Sequence, residues 1–241
     1  MTVRLAMWSG PRNISTAMMR SFGSRADTNV VDEPLYAHYL LTHGLDHPGR
    51  EEIIARAETD WRRVVAGLTG PAPDGRAVSY QKHMAHHLLS HIDRTWIASL
   101  TNCFLIRDPR EVIASFVKVV RAPEPEDLGY PQQVELFDAE RARTGRVPPV
   151  VDARDVLLDS RRTLTMLCER VGIAFDEAML SWPPGPRETD GVWAPHWYGA
   201  VYRSTGFAPY SPRDASIPSE LAGVHEACRR LYDRLAAHRI V

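Results

Sequence analysis

Apolar and polar residues follow one another along this chain in a repeated order of strand, turn and helix. Short apolar segments predict strands at 3–8, 29–31, 77–80, 102–106 and 149–152. Apolar residues at helical spacing predict helices over 15–22, 51–68, 109–120 and 160–171, a histidine-rich helix after the third strand, and a C-terminal helix through Leu221, Val224, Cys228, Leu231 and Leu235. Strands that alternate with helices in this way are typical of a parallel sheet.

The prediction is therefore an α/β fold in which a mostly parallel sheet lies between helices, in three layers. Two segments, 122–145 and 182–218, have no regular period, and the second is rich in Pro, Gly and aromatic residues. Long connections of this kind are usually lids or binding loops. No segment has the composition of a linker, so residues 1–241 are expected to form a single domain.

Composition excludes several classes of protein. Apolar residues make up 44% of the chain and charged residues 24%, which excludes a disordered or fibrous protein. A formal net charge of −1 argues against a nucleic acid as the main partner. We expect no membrane span and no signal peptide, because no apolar run is long enough. Three widely spaced cysteines, Cys103, Cys168 and Cys228, are expected to be reduced in a cytoplasmic protein.

The basic residues are strongly skewed, since 27 of the 29 are arginine and only Lys82 and Lys118 are lysine. The bias of a GC-rich genome explains most of this skew. A lysine that persists against such a bias can still have a role of its own, because its ammonium is a compact charge whereas arginine offers a planar fork.

The turn after the first strand has the chemistry of an anion site. Residues 9–16 combine the arginine fork of Arg12, the hydroxyls of Ser15 and Thr16, and the free N–H groups at a helix start. The turn is not a Walker A loop, because Ser15 stands at the lysine position and Ile14 at the second glycine position. The alternative is an ordinary strand-to-helix turn with a serine N-cap.

This turn resembles the 5′-phosphosulfate loop of the sulfotransferase family, in which Pro-Lys/Arg-Ser-Gly-Thr-Thr is typical. Pro11, Arg12, Ser15 and Thr16 match that pattern, and Asn13 and Ile14 depart from it.

A second motif, residues 104–116, is more specific. It is similar to the sulfotransferase segment in which a strand ends in Arg-(Asn/Asp)-Pro, with a serine eight residues after the arginine; Arg107 and Ser115 hold those positions. The family binds the donor's 3′-phosphate with these two residues. Asp108, Pro109 and Glu111 specify the helix start as N-cap, first position and capping-box partner. The alternative is that Arg107 pairs with a neighbouring carboxylate and Ser115 is a small packing residue.

Two later segments also resemble the family. Residues 150–159 resemble its strand and acidic turn, and residues 202–207, with Arg203, lie where the family has a basic loop over the 3′-phosphate.

Two residues are candidates for the base that takes a proton from the acceptor hydroxyl. His83, beside Lys82, resembles the Lys-Thr-His segment that carries the base in one branch of the family. Glu33 resembles the carboxylate used in other branches, and we favour it slightly because Tyr36, His38 and Tyr39 follow it as an acceptor wall. A glutamate base needs a raised pKa or an oriented hydroxyl.

Four histidines on the same stretch, His83, His86, His87 and His91, raise the question of a metal site. A second ligand cluster or a His-Glu-x-x-His helix is absent from the sequence, so no metal is expected.

The resemblance implies a P-loop-NTPase-like fold and transfer of a sulfuryl group from 3′-phosphoadenosine-5′-phosphosulfate (PAPS) to a hydroxyl of a small molecule, without a metal. The implied donor site comprises Pro11, Arg12, Asn13, Ile14, Ser15, Thr16, Arg107, Ser115 and Arg203. The implied catalytic groups are Arg12, Glu33, Lys82 and His83. Acceptor or adenine contacts are expected from Tyr36, Trp193, Trp197 and Tyr198. The alternatives are a nucleotide kinase of related topology and a non-catalytic nucleotide-binding protein.

Overall fold

A five-stranded sheet forms the centre of the computed structural model, which describes residues 2–44, 47–118, 122–212 and 216–241. The strands are β1 (Val3–Ser9), β2 (Thr28–Asp32), β3 (Val78–Met84), β4 (Thr101–Ile106) and β5 (Val150–Asp152). They lie in the order β2-β3-β1-β4-β5, and every pairing is parallel. All five strands therefore end at the same edge of the sheet, the carboxyl edge, where open α/β sheets bind their ligands.

Helices connect the strands and also follow the last of them. They are α1 (Ser15–Gly23), α2 (Tyr36–His43), α3 (Arg50–Arg56), α4 (Trp61–Thr69), α5 (Pro109–Phe116), α6 (Tyr130–Thr144), α7 (Ala153–Leu158), α8 (Ser160–Val171), α9 (Ala194–Trp197), α10 (Gly199–Tyr202) and α11 (Ala222–Ala236). Among the described residues, no helix is long and apolar enough to cross a bilayer.

Alternate residues of each strand point to opposite faces, and each face has its own apolar core. On one face, Leu5 and Met7 of β1 belong to a buried cluster with residues of α1 and α8. On the other face, Ala6 and Trp8 belong to a cluster with residues of α4, α6 and α11. The prediction of a parallel sheet between two helical layers is confirmed.

Three local predictions were wrong. The helix predicted over 51–68 is two helices, because residues 57–60 leave the helix and the Asp60 side chain caps α4 by accepting from Arg62 N. The histidine-rich helix is absent: β3 continues to Met84, and a single 3-10 turn, Ala85–His87, follows. The segment 122–145 contains the fifteen-residue helix α6, whose largely polar sequence hides its period.

Other boundaries agree with the sequence or lie outside the described residues. Helix α5 starts at Pro109 with Asp108 as its N-cap, as predicted, and Asp108 accepts from Arg110 N at 2.8 Å. The predicted end of this helix near Val120 lies outside the described residues. The segment 182–218 includes the two short helices α9 and α10 within otherwise irregular chain.

Candidate active site

The residues of the two predicted motifs meet at the carboxyl edge, because β1 and β4 are neighbours in the sheet. Arg12, after β1, donates from Nε to Ser115 Oγ at 2.9 Å. Arg107, after β4, donates from Nη1 to the carbonyl oxygen of Arg12 at 2.9 Å. The two motifs, about ninety to a hundred residues apart in sequence, thus form one structural unit.

Arg12 has a backbone conformation that a side chain rarely adopts. Its φ is +54°, in the left-handed region. Such a conformation costs free energy and persists where the surroundings enforce it. Here the hydrogen bond from Arg107 holds its carbonyl and the bond to Ser115 holds its side chain. These two hydrogen bonds fix the position of Arg12, which is exposed at the edge of the sheet.

Arg107 is held on its other side by a carboxylate. Its Nε and Nη2 donate to Oε2 of Glu111 at 2.9 and 2.6 Å, and Oε1 of Glu111 accepts from Tyr210 OH at 3.0 Å. The pairing with a neighbouring carboxylate that the sequence left open is therefore present. Ser115, in contrast, is more than a packing residue, since it accepts a hydrogen bond from Arg12.

Asn13 and Gly10 fix the turn by contacts that the sequence motif did not reveal. Asn13 donates from Nδ2 to the Leu105 carbonyl at 2.9 Å and accepts at Oδ1 from Ile14 N at 2.8 Å, which ties the turn to β4. A Cβ at Gly10 would lie 2.2 Å from the Leu128 carbonyl oxygen, so only glycine fits there.

The first turn of α1 provides donors for an anion. This helix has no side-chain N-cap, and the first N–H groups of a helix have no partner within it. Ser15 is buried, and Pro11 and Thr16 are half-buried beside it. The Ile14 side chain packs against the apolar core under α1. The N–H groups, the helix dipole and the Arg12 guanidinium together suit a phosphate or sulfate.

A second polar cluster lies at the ends of β2 and β3. The Lys82 ammonium, whose side chain is 1% exposed, donates to Asp32 Oδ1 at 2.9 Å, Glu33 Oε1 at 2.5 Å and Tyr198 OH at 2.6 Å. Tyr198 OH in turn donates to Asp32 at 2.8 Å. The backbone N–H of Gly191 also donates to Asp32, at 3.0 Å. We call Asp32, Glu33, Lys82 and Tyr198 the lysine cluster.

The lysine cluster contains two carboxylates and one ammonium. Burial raises the pKa of Glu33, the charge of Lys82 opposes this, and the neighbouring charge of Asp32 adds to it. Burial alone would lower the pKa of Lys82, but the charges of Asp32 and Glu33 raise it well above its ordinary value. The ammonium therefore stays charged, and it lies beside the Glu33 carboxylate, whose pKa burial raises.

Glu33 is also strained. Its φ is +39°, and among the described residues only three that are not glycine have a positive φ, Arg12 and Glu33 being two of them. Two predicted functional residues thus stand in an unfavourable backbone conformation at strand ends, a position where strain commonly accompanies function.

His83 lies on the opposite face of the sheet from Lys82. Its ring stacks on Trp8 with 4.3 Å between centroids, and its Nε2 is 3.2 Å from Gln81 Oε1. Burial lowers the pKa of His83 to about 3. The structure thus brings together Glu33 and Lys82 and places His83 within the other core.

The remaining histidines pack among aromatic rings. His87 stacks on Tyr36 with 4.7 Å between centroids and on Tyr39 with 4.6 Å, and its Nδ1 lies 4.0 Å from Glu33 Oε2. Burial lowers the pKa of His86 to about 3. Within the part of the chain that the structure describes, no group of three or more metal-ligating side chains is arranged to hold a metal.

Of the four aromatic residues predicted to contact the acceptor or the adenine, one belongs to the lysine cluster and three lie around it. Tyr198 belongs to the lysine cluster and accepts from Trp193 Nε1 at 3.2 Å. Tyr36 and Trp193 are buried and in edge contact, with 4.9 Å between their centroids. Trp197 packs against His47 at 5.0 Å. The segment that carries these tryptophans therefore closes over the end of β2.

This segment is fastened by a buried ion pair that the sequence did not predict. Arg20 of α1 donates to both oxygens of Asp190, at 2.5 and 2.7 Å, and the side chains are 3% and 4% exposed. Arg203, after α10, is exposed, and among the described residues no hydrogen bond or ion pair joins it to Arg107 or Ser115.

Comparison with known proteins gives one family. The family model described as "Sulfotransferase domain" matches residues 3–222. Two proteins of Arabidopsis thaliana, named branched-chain-amino-acid aminotransferase-like proteins 1 and 2, are 35% and 32% identical over 231 residues. Each match covers 96% of this chain and 41% of the relative, so the chain spans about two fifths of the length of these curated relatives.

Solved structures are similar in fold. The sulfotransferase domain from the olefin synthase of Synechococcus PCC 7002 has a TM-score of 0.56 at 18% identity, over 92% of this chain and 93% of that chain. A sulfotransferase from Alicyclobacillus acidocaldarius has a TM-score of 0.50 at 11% identity, over 100% of this chain and 98% of that one. These similarities confirm the P-loop-like class of fold.

Proposed function

Because this chain belongs to the sulfotransferase family, whose model matches residues 3–222, we propose that it transfers the sulfuryl group of PAPS to a hydroxyl group of a small molecule. The observation that carries the proposal is the meeting of Arg12, Arg107 and Ser115 at one edge of the sheet, on which Glu33 also lies.

In the proposed donor site, the turn after β1 holds the phosphosulfate end. Arg12, the N–H groups at the start of α1 and the hydroxyls of Ser15 and Thr16 supply its donors, and Pro11, Asn13 and Ile14 shape the turn. The chemistry of these groups fits the donor, since phosphate and sulfate oxygens accept from such groups.

Arg107 and Ser115 hold the 3′-phosphate in this proposal. Ser115 accepts from Arg12, which leaves its hydroxyl hydrogen to donate to a phosphate oxygen. Glu111 and the Arg12 carbonyl use three of the five N–H groups of Arg107 and fix the orientation of its guanidinium. Arg203, which is exposed after α10, stays a proposed further ligand of the 3′-phosphate.

Glu33 is the proposed base. In the reaction, the bond from sulfur to the 5′-phosphate oxygen of PAPS breaks, a bond from sulfur to the acceptor oxygen forms, and the acceptor's proton moves to the Glu33 carboxylate. The products are 3′-phosphoadenosine-5′-phosphate (PAP) and a sulfate ester. The transition state is loose, as in phosphoryl transfer, and is stabilised mainly by positioned cations such as Arg12. Lys82 orients Glu33.

His83 takes no part in this scheme, because it lies in the core on the other face of the sheet. No step requires a metal. A nucleotide kinase is disfavoured because Ser15 stands where a Walker A loop has its lysine.

The organisation of the protein is also proposed here. We take residues 1–241 as one sulfotransferase domain around a single sheet. Its three cysteines are buried and free, which fits a reducing compartment such as the cytoplasm.

Calorimetry with PAP and with ATP and Mg²⁺ tests the proposal. We expect PAP to bind in the presence of EDTA, and the Arg107→Ala variant to lose this binding. Arg110→Ala is the matched control, since Arg110 is exposed on the same helix. Binding of ATP and Mg²⁺ without binding of PAP would favour a kinase, and binding of neither nucleotide would overturn the proposal.

A further inference from the structure

The two adjacent carboxylates at the end of β2 differ in how far a substrate can reach them. The side chain of Asp32 is 1% exposed and that of Glu33 is 12% exposed. Both oxygens of Asp32 accept hydrogen bonds, and the donors are Lys82 Nζ, Tyr198 OH and the Gly191 N–H. Within the described residues, Glu33 accepts from Lys82 at Oε1 and accepts no hydrogen bond at Oε2. An acceptor hydroxyl can therefore reach Glu33 and not Asp32.

The ammonium of Lys82 has no N–H group to spare. An ammonium has three N–H donors. Its three partners at hydrogen-bond distance are Asp32, Glu33 and Tyr198. One donor is thus directed at Glu33, and the other two are held by Asp32 and Tyr198. These two partners therefore fix the direction in which the ammonium faces Glu33.

The hydroxyl of Tyr198 has a single possible direction. It accepts from Lys82 Nζ at 2.6 Å and from Trp193 Nε1 at 3.2 Å, and both of these groups are donors only. Its own hydrogen must therefore point to Asp32, whose two oxygens each lie 2.8 Å away. Tyr198 thus donates to the carboxylate that competes with Glu33 for the ammonium.

Residues 190–198 bring two donors to Asp32. At one end of this segment the N–H of Gly191 donates to Asp32 at 3.0 Å, and at the other end the hydroxyl of Tyr198 does so at 2.8 Å. A Cβ at Gly191 would lie 2.1 Å from the ring of Trp193, so a side chain there would displace that buried ring. The segment therefore holds Asp32 through both its backbone and a side chain.

Two charged groups act on the Glu33 carboxylate. Among the described residues, the titratable groups that face it are Asp32, Tyr36, Lys82, His87 and Tyr198. Burial raises the pKa values of Tyr36 and Tyr198 and lowers that of His87, so these three groups are neutral at pH 7. Burial also raises the pKa of Glu33; the charge of Lys82 opposes this rise, and the charge of Asp32 adds to it. The hydroxyl of Tyr198 acts in the same direction as Lys82.

We propose that Asp32 and Tyr198 are positioning residues of the reaction, because they hold two of the three N–H groups of the ammonium beside Glu33. They thereby leave Glu33 as the carboxylate that receives the acceptor's proton. This inference rests on the proposed function, in which Glu33 is the base. The proton leaves the acceptor oxygen as the bond from sulfur to that oxygen forms, while Asp32 and Tyr198 keep their hydrogen bonds and do not touch the acceptor.

The titration of Glu33 can be measured without turnover, by ¹³C NMR of protein labelled at the side-chain carboxyl of glutamate. The signal that is missing in Glu33→Gln identifies the residue. In Asp32→Asn the neighbouring negative charge is gone, so the midpoint should move to lower pH by about 1 pH unit or more. In Tyr198→Phe, Asp32 loses a donor and draws the ammonium more strongly, so the midpoint should move to higher pH by about half a pH unit.

Tyr80→Phe is the matched control. Tyr80 is buried on the same strand as Lys82, and its hydroxyl has no hydrogen bond within the described chain, so the midpoint should stay in place. General loosening of the site would not move the midpoint in opposite directions in Asp32→Asn and Tyr198→Phe. A midpoint that stays in place in either variant, or that moves in the same direction in both, would overturn the inference. If one of the two does not fold, the direction found in the other decides.

Transfer of ³⁵S from labelled PAPS to methanol, 1-butanol and phenol separates this inference from the proposed function. In both variants the increase of kcat/KM with pH should move with the midpoint of Glu33, at unchanged affinity for PAP. If the midpoint moves and the kcat/KM profile does not follow it, Glu33 does not receive the proton and the inference is overturned. Absence of label from all three hydroxyl compounds with the native chain would contradict the proposed function, whatever the titration shows.

Discussion

The ammonium of Lys82 lies 2.5 Å from Oε1 of Glu33, and both side chains are largely buried. The same ammonium serves Asp32, so one positive charge is shared between two carboxylates. Burial disfavours the ionised form of Glu33 and raises its pKa, and the shared positive charge of Lys82 opposes this rise. Lys82 therefore limits how far the pKa of Glu33 rises.

The rate of transfer should depend on pH through Glu33. A base must be deprotonated, so kcat/KM should increase with pH as Glu33 loses its proton, at a pH above its ordinary pKa of 4.5. In Lys82→Met the positive charge that stabilises ionised Glu33 is gone, so the increase of kcat/KM should move to higher pH. A pH profile of both proteins checks this. If kcat/KM of Lys82→Met increases at the same pH as that of the native chain, or at a lower pH, Lys82 does not lower the pKa of Glu33.

Lys82→Met should also destabilise the fold. Removing one partner of a buried ion pair leaves the other charge uncompensated, which costs about 3–5 kcal/mol in free energy of unfolding. Lys118→Met is the matched control, since the other lysine of the chain is exposed and should change stability by no more than about 0.5 kcal/mol. Urea unfolding at pH 7 measures both. Equal unfolding midpoints would show that the lysine cluster does not support the fold.

His83 should make the protein sensitive to acid. Its pKa is about 3 in the fold against an ordinary value of 6.5, because burial disfavours the imidazolium. Between these two values the unfolded chain binds more protons than the folded chain, so stability is full above pH 6.5 and falls as pH decreases toward 3. In His83→Gln the urea midpoint should fall less between pH 7 and pH 5 than in the native chain. An unchanged difference would place the acid-sensitive group elsewhere.

Arg12 should contribute to donor affinity through both its charge and its shape. Arg12→Ala removes a charge-assisted hydrogen bond, so the Kd for PAP should rise about tenfold or more. Arg12→Lys keeps the charge but loses the Nε–H bond to Ser115, and its Kd should lie between the two. Calorimetric titration with PAP measures the Kd of all three proteins. An Arg12→Ala variant that binds PAP as tightly as the native chain would exclude Arg12 from the donor site.

The sequence was sufficient for the parts of the site that depend on local pattern. The strand before Arg107 and the capped helix after it are specified by neighbouring residues, and both are present where predicted. The lysine cluster was not predictable in this way, because Tyr198 is 116 residues from Lys82 and joins it only through the tertiary fold.

The separation of His83 from Lys82 follows from one boundary. The sequence predicted the third strand only to residue 80, whereas β3 continues to Met84. Since adjacent residues of a strand point to opposite faces, a strand through 84 cannot place both side chains on the same face. The extension of β3 by four residues thus separates His83 from Lys82, which is the reason that we propose Glu33 as the base.

Transfer of ³⁵S from labelled PAPS to a panel of alcohols, by the native chain and by Glu33→Gln, tests the central claim most directly. The glutamine has the shape of the glutamate but cannot take a proton, and general bases contribute about 10²–10⁴-fold in rate. We predict a labelled sulfate ester from the native chain, and a rate at least about a hundredfold lower from Glu33→Gln with unchanged affinity for PAP. Equal rates from the two proteins, or no labelled ester from any alcohol, would contradict the account.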